Sequence, residues 1–417
     1  MYSVASRCGR VVEMLPPSAL IVLLTALLGV SAEKLSGRRR TVPVVHVRGN
    51  FYDVGYDVGR TFSSIIKSFV SSYGNLRDFE KEYKTDAGRD AYDKTLANMK
   101  QRFPYYIKEI QGVADGANVP FHQLFLLQMD DIIGTINDNH IPRNDTGGCS
   151  SIAIKNSQNT ILGHTEDAFG ETLNHFYIMV AHIIPTEEDR AHGAIEEKFA
   201  SLCYAGNMPG YTMGYNENGL VFSINTLSPL ALKPGYTPRT FITRAMLRAR
   251  SFSEAEEILR DEGLGIGNGF SVNMIWTDPW GGRQLYNVEV APDLRADRSQ
   301  VNVQKYEKEP LVHCNKYQRT NVSEANGRII DSSVARMKAI HSHPAPRTQQ
   351  DIANILSDTS DPEFKLFQER SDEVIQTIAA GIFDLDSHVW NIYINKPNSS
   401  EPVARLPISF TSLGFNS

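Results

Sequence analysis

The chain has 417 residues, of which 41% are hydrophobic and 22% are charged, a balance typical of a globular protein with a large core. Its 42 basic and 48 acidic residues are interleaved and give a net charge of −6, which argues against a nucleic-acid-binding protein. The four cysteines are too few for a disulfide scaffold and show no metal-ligand spacing, so we expect no metal and no cofactor.

Residues 1–40 are predicted to form a leader outside the fold. An apolar run at 19–30 follows two arginines, which is the layout of a signal peptide. The run is shorter than the roughly 20 residues of a membrane span, so an uncleaved anchor is the second interpretation and a start at Met14 the third. We expect membrane contact only if the leader is an anchor, and the sequence leaves the localisation open.

The segment before Cys149, residues 41–148, is predicted to be mainly helical. An alternating strand at 43–47 comes first. Apolar residues then recur three and four apart, which predicts helices with one buried face. These helices span 53–70, 89–114 and 121–133.

From Cys149 onward, in residues 149–417, the pattern changes to short apolar segments separated by Gly, Asn and Pro. The predicted strands span 150–155, 160–164, 175–182, 199–204, 220–225, 271–277, 284–290, 311–314, 375–383 and 389–394. Helices are predicted at 240–260, 328–341 and 349–356. Because strands and helices occur in blocks, we predict an α+β fold with two antiparallel sheets and the helices outside them.

Cys149 follows two glycines and opens a predicted strand. Glycine at 148 lets its carbonyl bend toward the Cys149 sulfur, because a residue without Cβ reaches backbone angles that others adopt only at a cost. Attack of the thiol on this carbonyl would cut the chain before Cys149 and leave a new N-terminus, whose amine is a suitable general base near neutral pH. The alternative interpretation is a buried core cysteine.

Polar residues lie at the ends of two predicted strands, where active sites are commonly built. The residues 164–167 close the strand at 160–164, and Asp167 among them is suited to hold the new N-terminal ammonium. Asn225 is the last residue of the strand at 220–225, and its amide is suited to donate a hydrogen bond to a developing oxyanion. Taken alone, each residue is more typical of a turn, since Asn and Asp favour turns in any protein.

These residues belong to a set of motifs that resembles the acyl-coenzyme A:isopenicillin N acyltransferase-like family of N-terminal nucleophile hydrolases (peptidase family C45), whose precursors cut themselves at a Gly-Cys bond. The resemblance covers nearly the whole chain after the leader. It is carried by the segments 47–55 with Gly59, 110–121, 148–149 with 163–167, and 216–220 with Asn225. It implies a four-layer αββα sandwich with two antiparallel sheets.

For the catalytic residues, the resemblance implies that the cut lies between Gly148 and Cys149 and that Cys149 is the nucleophile. Asp167 is implied as the supporting carboxylate and Asn225 as the oxyanion donor. The segments 41–148 and 149–417 would then be two self-cleaved chains of one catalytic domain, and an oligomer of such heterodimers is a further option.

The chain departs from the family pattern in two places. The fungal acyltransferase has a serine followed directly by an arginine, whereas this chain has two serines at 332–333 and its nearest arginine at Arg336. Family members often have His-Thr-Asn-His where this chain has His-Cys-Asn-Lys at 313–316. Arg336 is the candidate that this alignment offers.

Within the family, the runs 164–169 and 203–211 resemble arthropod hydrolases that remove β-alanine from N-β-alanyl amines such as N-β-alanyldopamine and carcinine. The implied substrate is a small β-alanyl amine, and such relatives are expected inside cells. The alternatives are an acyltransferase or lipid-amide hydrolase of the same fold, and a non-catalytic binding protein.

A β-alanyl ammonium needs a carboxylate, for which Glu166 is the nearest candidate, and a catechol or imidazole ring needs an aromatic partner. The candidate substrate-binding residues are therefore Glu166, His164, Phe169, Phe176, Tyr177 and Arg336.

Overall fold

The computed structural model describes residues 40–133, 148–325, 327–370 and 374–411. The predicted leader lies outside them except for residue 40, as does the segment that leads into Gly148. The division into 41–148 and 149–417 stays a prediction. Among the described residues, no helix combines the length and hydrophobicity that a bilayer span requires.

Before Gly148, the described residues form one strand, β1 (Val44–Gly49), and a series of helices. The helices are α1 (Phe51–Thr61), α2 (Ser63–Ser72), α3 (Gly74–Tyr83), α4 (Asp86–Arg102), α5 (Pro104–Ala117), α6 (Phe121–Gln128) and α7 (Asp130–Ile133). The single helix predicted at 89–114 is two helices, because Pro104 has no N–H for a hydrogen bond to the preceding turn and starts a new helix. The sequence pattern missed α3, which buries only Leu76 and Phe79.

The α1 and α5 helices pack with their backbones in direct contact. A Cβ atom at Gly55 would lie 2.2 Å from the Glu109 carbonyl oxygen, and one at Gly112 would lie 2.2 Å from the Tyr52 carbonyl oxygen. Because no side chain fits at either position, these glycines set the distance between the two helices.

An eight-stranded sheet lies next to these helices, with the strand order β1-β4-β5-β6-β7-β8-β9-β10. Its further strands are β4 (Phe176–Ile183), β5 (Glu197–Tyr204), β6 (Met213–Asn216), β7 (Leu220–Leu227), β8 (Gly269–Thr277), β9 (Arg283–Pro292) and β10 (Ser299–Tyr306). The connections include α8 (Glu187–Ala191), α9 (Arg239–Met246) and α10 (Phe252–Arg260).

A six-stranded sheet has the order β11-β2-β3-β12-β13-β14. Its strands are β2 (Ser150–Lys155), β3 (Thr160–Phe169), β11 (Leu311–His313), β12 (Ile375–Asp384), β13 (Val389–Tyr393) and β14 (Ala404–Pro407). The helices on its outer face are α11 (Arg328–Ser342) and α12 (Gln349–Leu356).

Three hydrophobic cores fill the spaces between four layers. One joins the first helices to the eight-stranded sheet, one lies between the sheets, and one lies between the six-stranded sheet and the α11–α12 pair. This confirms the predicted αββα sandwich. The strand pairs are antiparallel as predicted except β1 and β4, which pair in parallel at the sheet edge.

Several strands are longer than predicted, and for two of them this changes the position of candidate site residues. β3 continues to Phe169, so Asp167 lies within the strand and not after it, and β7 continues to Leu227, so Asn225 lies inside its strand and not at the end. β6, β10 and β14 were not predicted, because β6 and β14 have four residues each and β10 is mostly half-buried and polar.

Candidate active site

The polar residues of β3 face two different layers, because successive side chains of a strand point to opposite faces. His164 and Glu166 share the face of Leu162, which packs between the two sheets. Asp167 lies on the opposite face, where the Thr377 hydroxyl donates to its Oδ1 at 2.6 Å. The strand therefore presents one carboxylate to each side of the sheet.

Cys149 lies directly before β2 and beside both carboxylates. It is 5% exposed, and its thiol accepts a hydrogen bond from the backbone N–H of Asp167. Cys203 and Cys314 belong to hydrophobic cores, whereas Cys149 belongs to no apolar cluster of the described residues. Its surroundings differ from those of an ordinary core cysteine.

Burial raises the pKa of the Cys149 thiol well above its usual range, and the charges of Glu166 and Asp167 raise it further. The Asp167 backbone N–H and the Arg336 guanidinium act in the opposite direction. The thiol is therefore protonated at neutral pH, and its use as a nucleophile requires a base.

Gly148 is held tightly against Asn315. A Cβ atom at position 148 would lie 2.2 Å from Asn315 Oδ1, so no residue but glycine fits without displacing that side chain. Asn315 is itself held, because its Nδ2 donates to the Thr226 carbonyl at 3.0 Å. The structure thus requires glycine on the N-terminal side of Cys149, as self-cleavage at a Gly-Cys bond would.

The α11 helix brings Arg336 to the backbone of Cys149. Arg336 is fully buried, and its Nη1 donates to the Cys149 carbonyl at 2.9 Å and to Ser150 Oγ at 2.8 Å. Its Nη2 donates to Asn315 Oδ1 at 2.8 Å, and its Nε to Ser332 Oγ at 3.0 Å. The structure places Arg336 in the site, one helical turn after its serine and not directly next to it.

Burial raises the pKa of Asp167 to about 7, while Arg336 and the Thr377 hydroxyl oppose the rise. The unfolded chain releases this proton near pH 3.8, so between about pH 4 and about pH 7 the folded state keeps a proton that the unfolded state has lost. Folding stability contributed by this group is therefore lost as the pH rises through that window.

We expect Asp167→Asn to become more stable than the wild type as the pH rises from about 4 to about 7, by on the order of 3 kcal/mol, because the buried carboxylate is removed. Urea unfolding of both chains across this range, in an uncut Cys149→Ala background, measures the difference. Asp90→Asn, at an exposed position, should show no such trend. Parallel stability curves for wild type and Asp167→Asn would contradict the assignment.

Between the sheets, His164, Glu166 and Tyr204 form a buried cluster next to the thiol. His164 Nε2 lies 3.0 Å from Glu166 Oε2, and the Tyr204 hydroxyl donates to Glu166 Oε1. The Cys149 Sγ, one His164 nitrogen and one Glu166 oxygen all lie within 4.8 Å of one another. This spacing is also compatible with metal ligation, although His164 and Glu166 already bond to each other.

Asn225 reaches Cys149 from the opposite sheet. Its Nδ2 donates to the Cys149 carbonyl at 2.8 Å, and its Oδ1 accepts from Ser151 Oγ at 3.0 Å. The Arg336 guanidinium and the Asn225 amide thus both donate to the Cys149 carbonyl. These two hydrogen bonds fix the position of the residue that carries the thiol.

The model of the acyl-coenzyme A:6-aminopenicillanic acid acyl-transferase family matches residues 154–399. The chain belongs to this family. A relative from Drosophila melanogaster, described as a beta-alanyl-dopamine/carcinine hydrolase, is 42% identical over an alignment of 392 residues that covers 91% of this chain and 100% of the relative. Both findings confirm the family predicted from the motifs. The residues matched by the family model begin after Cys149, so the role of Cys149 rests on the motif and the geometry.

Tyr177, a predicted substrate-binding residue, does not lie near Cys149 in this member of the acyl-transferase family. β4 turns Tyr177 toward the helices, where it is 1% exposed and stacks on Phe62 with ring centroids 4.2 Å apart. Phe176 packs between the sheets, and Phe169 is half-buried at the end of β3. Tyr177 is therefore withdrawn as a candidate substrate residue, and Phe169 is retained.

Sequence reasoning missed several residues that contact the site. Tyr204 lies in the 203–211 run but gave no chemical signal, since its bond to Glu166 joins two sheets. Asn315 lies in the segment 313–316 that departs from the family pattern, and the sequence gives no sign that it packs against Gly148. A signal that the sequence did offer is an asparagine inside an otherwise apolar strand, such as Asn273 in β8, because a polar side chain there needs a buried hydrogen-bond partner.

Proposed function

We propose that the chain is a self-processing cysteine amidohydrolase that converts N-β-alanyl amines, such as β-alanyl-dopamine and carcinine, to β-alanine and dopamine or histamine. The observation that carries this proposal is the Glu166 carboxylate within 4.8 Å of the Cys149 thiol. A β-alanyl group carries its ammonium two methylenes from the carbonyl carbon, so a carboxylate close to the nucleophile suits this acyl group. The Drosophila relative named for these substrates supports it.

Processing comes first. Cys149 Sγ adds to the Gly148 carbonyl carbon, the bond from that carbon to the Cys149 nitrogen breaks, and the nitrogen takes up the thiol proton. Water then hydrolyses the thioester, which leaves a carboxylate on Gly148 and a free thiol and amine on Cys149. The close fit of Gly148 against Asn315 holds the reacting carbonyl during this step.

In turnover, the thiol passes its proton to the Cys149 amine as the sulfur attacks the substrate amide carbon. Asn225 uses one N–H for the Cys149 carbonyl, and its second N–H is the proposed donor to the oxyanion. Asp167 stabilises the N-terminal ammonium, which then protonates the leaving amine as the C–N bond breaks. Water releases β-alanine from the thioester and restores the thiol.

Glu166 is the proposed partner of the substrate ammonium. His164 and Tyr204 hold its two carboxylate oxygens, so the charge is fixed in place before the substrate arrives. His164 is therefore a positioning residue for Glu166, and Phe169, at the end of the same strand, is the proposed contact for the ring of the amine.

We expect Glu166→Gln to lower kcat/KM for β-alanyl-dopamine by roughly 30- to 1,000-fold, because a buried ammonium loses its partner. The same variant should hydrolyse N-propionyl-dopamine, which lacks the ammonium, as fast as the wild type does. Glu187→Gln, at an exposed glutamate of α8, is the matched control. If kcat/KM falls equally for both substrates, measured on fully processed enzyme, Glu166 does not bind the substrate ammonium.

Acyl transfer is the second candidate, because the matched family model is described as an acyl-transferase. Incubation with β-alanyl-dopamine, a fatty-acyl amide and an acyl-coenzyme A separates the two functions. Release of dopamine from the first substrate alone supports the hydrolase. Preferential turnover of the fatty-acyl amide or the coenzyme A ester would favour the alternative.

A further inference from the structure

Three fully buried asparagines lie side by side between the sheets, on neighbouring strands of the eight-stranded sheet: Asn225 on β7, Asn273 on β8 and Asn287 on β9. Asn287 Nδ2 donates to Asn273 Oδ1 at 2.9 Å, and Asn273 Nδ2 donates to Asn225 Oδ1 at 2.6 Å. Asn225 Nδ2 then donates to the Cys149 carbonyl. The amides form one continuous row, which ends at the proposed nucleophile.

The far end of this amide row is closed by Arg319. Its Nη2 donates to Asn287 Oδ1, while its Nε donates to Asn302 Oδ1 at 3.2 Å. The Arg319 side chain is 19% exposed and lies 3.9 Å from the buried Glu289 carboxylate, so the guanidinium is anchored in place. The row thus runs from a fixed cation at the edge of the site to Cys149.

The row has a direction, and the groups at its two ends agree on it. An amide side chain can exchange its oxygen and nitrogen by a half-turn, so only its partners decide which atom points where. A guanidinium can only donate, so Asn287 must turn its oxygen to Arg319 and its nitrogen to Asn273. The same requirement passes to Asn273 and then to Asn225, whose nitrogen faces the Cys149 carbonyl, a group that can only accept.

We infer that Arg319, Asn287 and Asn273 are positioning residues that fix the donor end of Asn225 toward Cys149. This inference rests on the proposed function, in which Cys149 and Asn225 are the reacting groups. Buried unsatisfied amides are costly, so a reversed amide anywhere in the row would leave two donors or two acceptors facing each other.

Asn273→Asp tests the row with almost no change in shape. A carboxylate at 273 accepts from Asn287 but turns an acceptor toward Asn225 Oδ1, so we expect self-cleavage and kcat to fall by roughly 100-fold with KM little changed. At low pH the protonated acid donates an O–H to Asn225, so the variant should regain activity as the pH falls. A purely structural role would not produce this inverted pH profile.

The titratable and charged groups on the neighbouring elements include Cys149, His164, Glu166, Glu289, His313 and Arg319. The wild type shares all of them, so the ratio of variant to wild-type rates isolates position 273. Arg319→Lys and Arg319→Met form a second pair. Lysine keeps a donor and should retain most of the cleavage rate, whereas methionine should lose it by about 10-fold or more. This pair decides the question if Asn273→Asp does not fold.

The outcomes separate the two proposals. If the wild type is not cut between Gly148 and Cys149, the proposed function fails. If the wild type is cut and Asn273→Asp matches it in rate and in pH dependence, the function stands and the amide row is overturned. Equal rates for the two Arg319 variants would overturn it as well.

Discussion

Replacing Cys149 with alanine is expected to leave one uncut chain with no measurable amide hydrolysis, a loss of about 1,000-fold or more. The thiol is the atom that would form both the processing thioester and the turnover thioester. Of the other described cysteines, Cys203 lies in a hydrophobic core, and Cys314 donates to Ser150 Oγ at 3.7 Å on the outer side of the site. Intact mass of the wild type beside Cys149→Ala measures the first effect. Release of dopamine from β-alanyl-dopamine measures the second.

Cys203→Ala is the matched control for Cys149→Ala. It removes a buried thiol from a hydrophobic core, so it should reduce stability but leave the cut between Gly148 and Cys149 intact. A cut or active Cys149→Ala chain would contradict the assignment of the nucleophile. An uncut wild type would favour the interpretation of Cys149 as a core residue.

Arg244→Met is expected to destabilise the fold by about 3–5 kcal/mol. Arg244 is fully buried and donates to Glu109 at 2.9 Å and to Glu197 at 2.6 Å. It also lies over the rings of Tyr106 and Phe199, at 4.4 and 4.9 Å from their centroids. Removing the guanidinium would leave two buried carboxylates beside each other without the cation that bonds to both.

Urea unfolding of Arg244→Met measures this loss, in a Cys149→Ala background so that both chains are uncut. Arg250→Met is the control, because Arg250 is exposed and pairs with Glu254 four residues further on, where an ion pair contributes less than about 1 kcal/mol. Adding Glu109→Gln and Glu197→Gln to Arg244→Met should recover part of the stability. If Arg244→Met loses no more stability than Arg250→Met, the ion pairs of Arg244 with Glu109 and Glu197 do not stabilise the fold.

The local pattern of the sequence was enough to predict most elements. The strand at 150–155 and the helix at 349–356 match the structure at both ends, because each has a clear apolar period and a clear boundary. The boundaries failed where a strand continues through polar residues, as β3 does past His164. Such a strand is buried by contacts with β2 and β12, which no local period reports.

The candidate site was predicted in part. The Gly-Cys motif, together with Asp167 and Asn225, was enough to indicate the proposed nucleophile and the residues that the structure places beside it. Tyr177 was a wrong candidate for substrate contact, since the alternation of β4 turns it toward the helices. The alternation of residues along a strand does not reveal which of its two faces lies toward a site in another layer.

The sequence by itself determined the family and, through the resemblance, the four-layer fold and the proposed nucleophile, because the motifs that carry the resemblance are local in the chain. Only the tertiary structure decided how Arg336 and Asn225 meet at one carbonyl, and how Arg319 connects to Cys149 through three amides. These contacts join residues far apart in the chain, such as Asn225 and Cys149, which are 76 positions apart. Their physical basis is the pairing of buried donors with acceptors, which the packing of the two sheets creates.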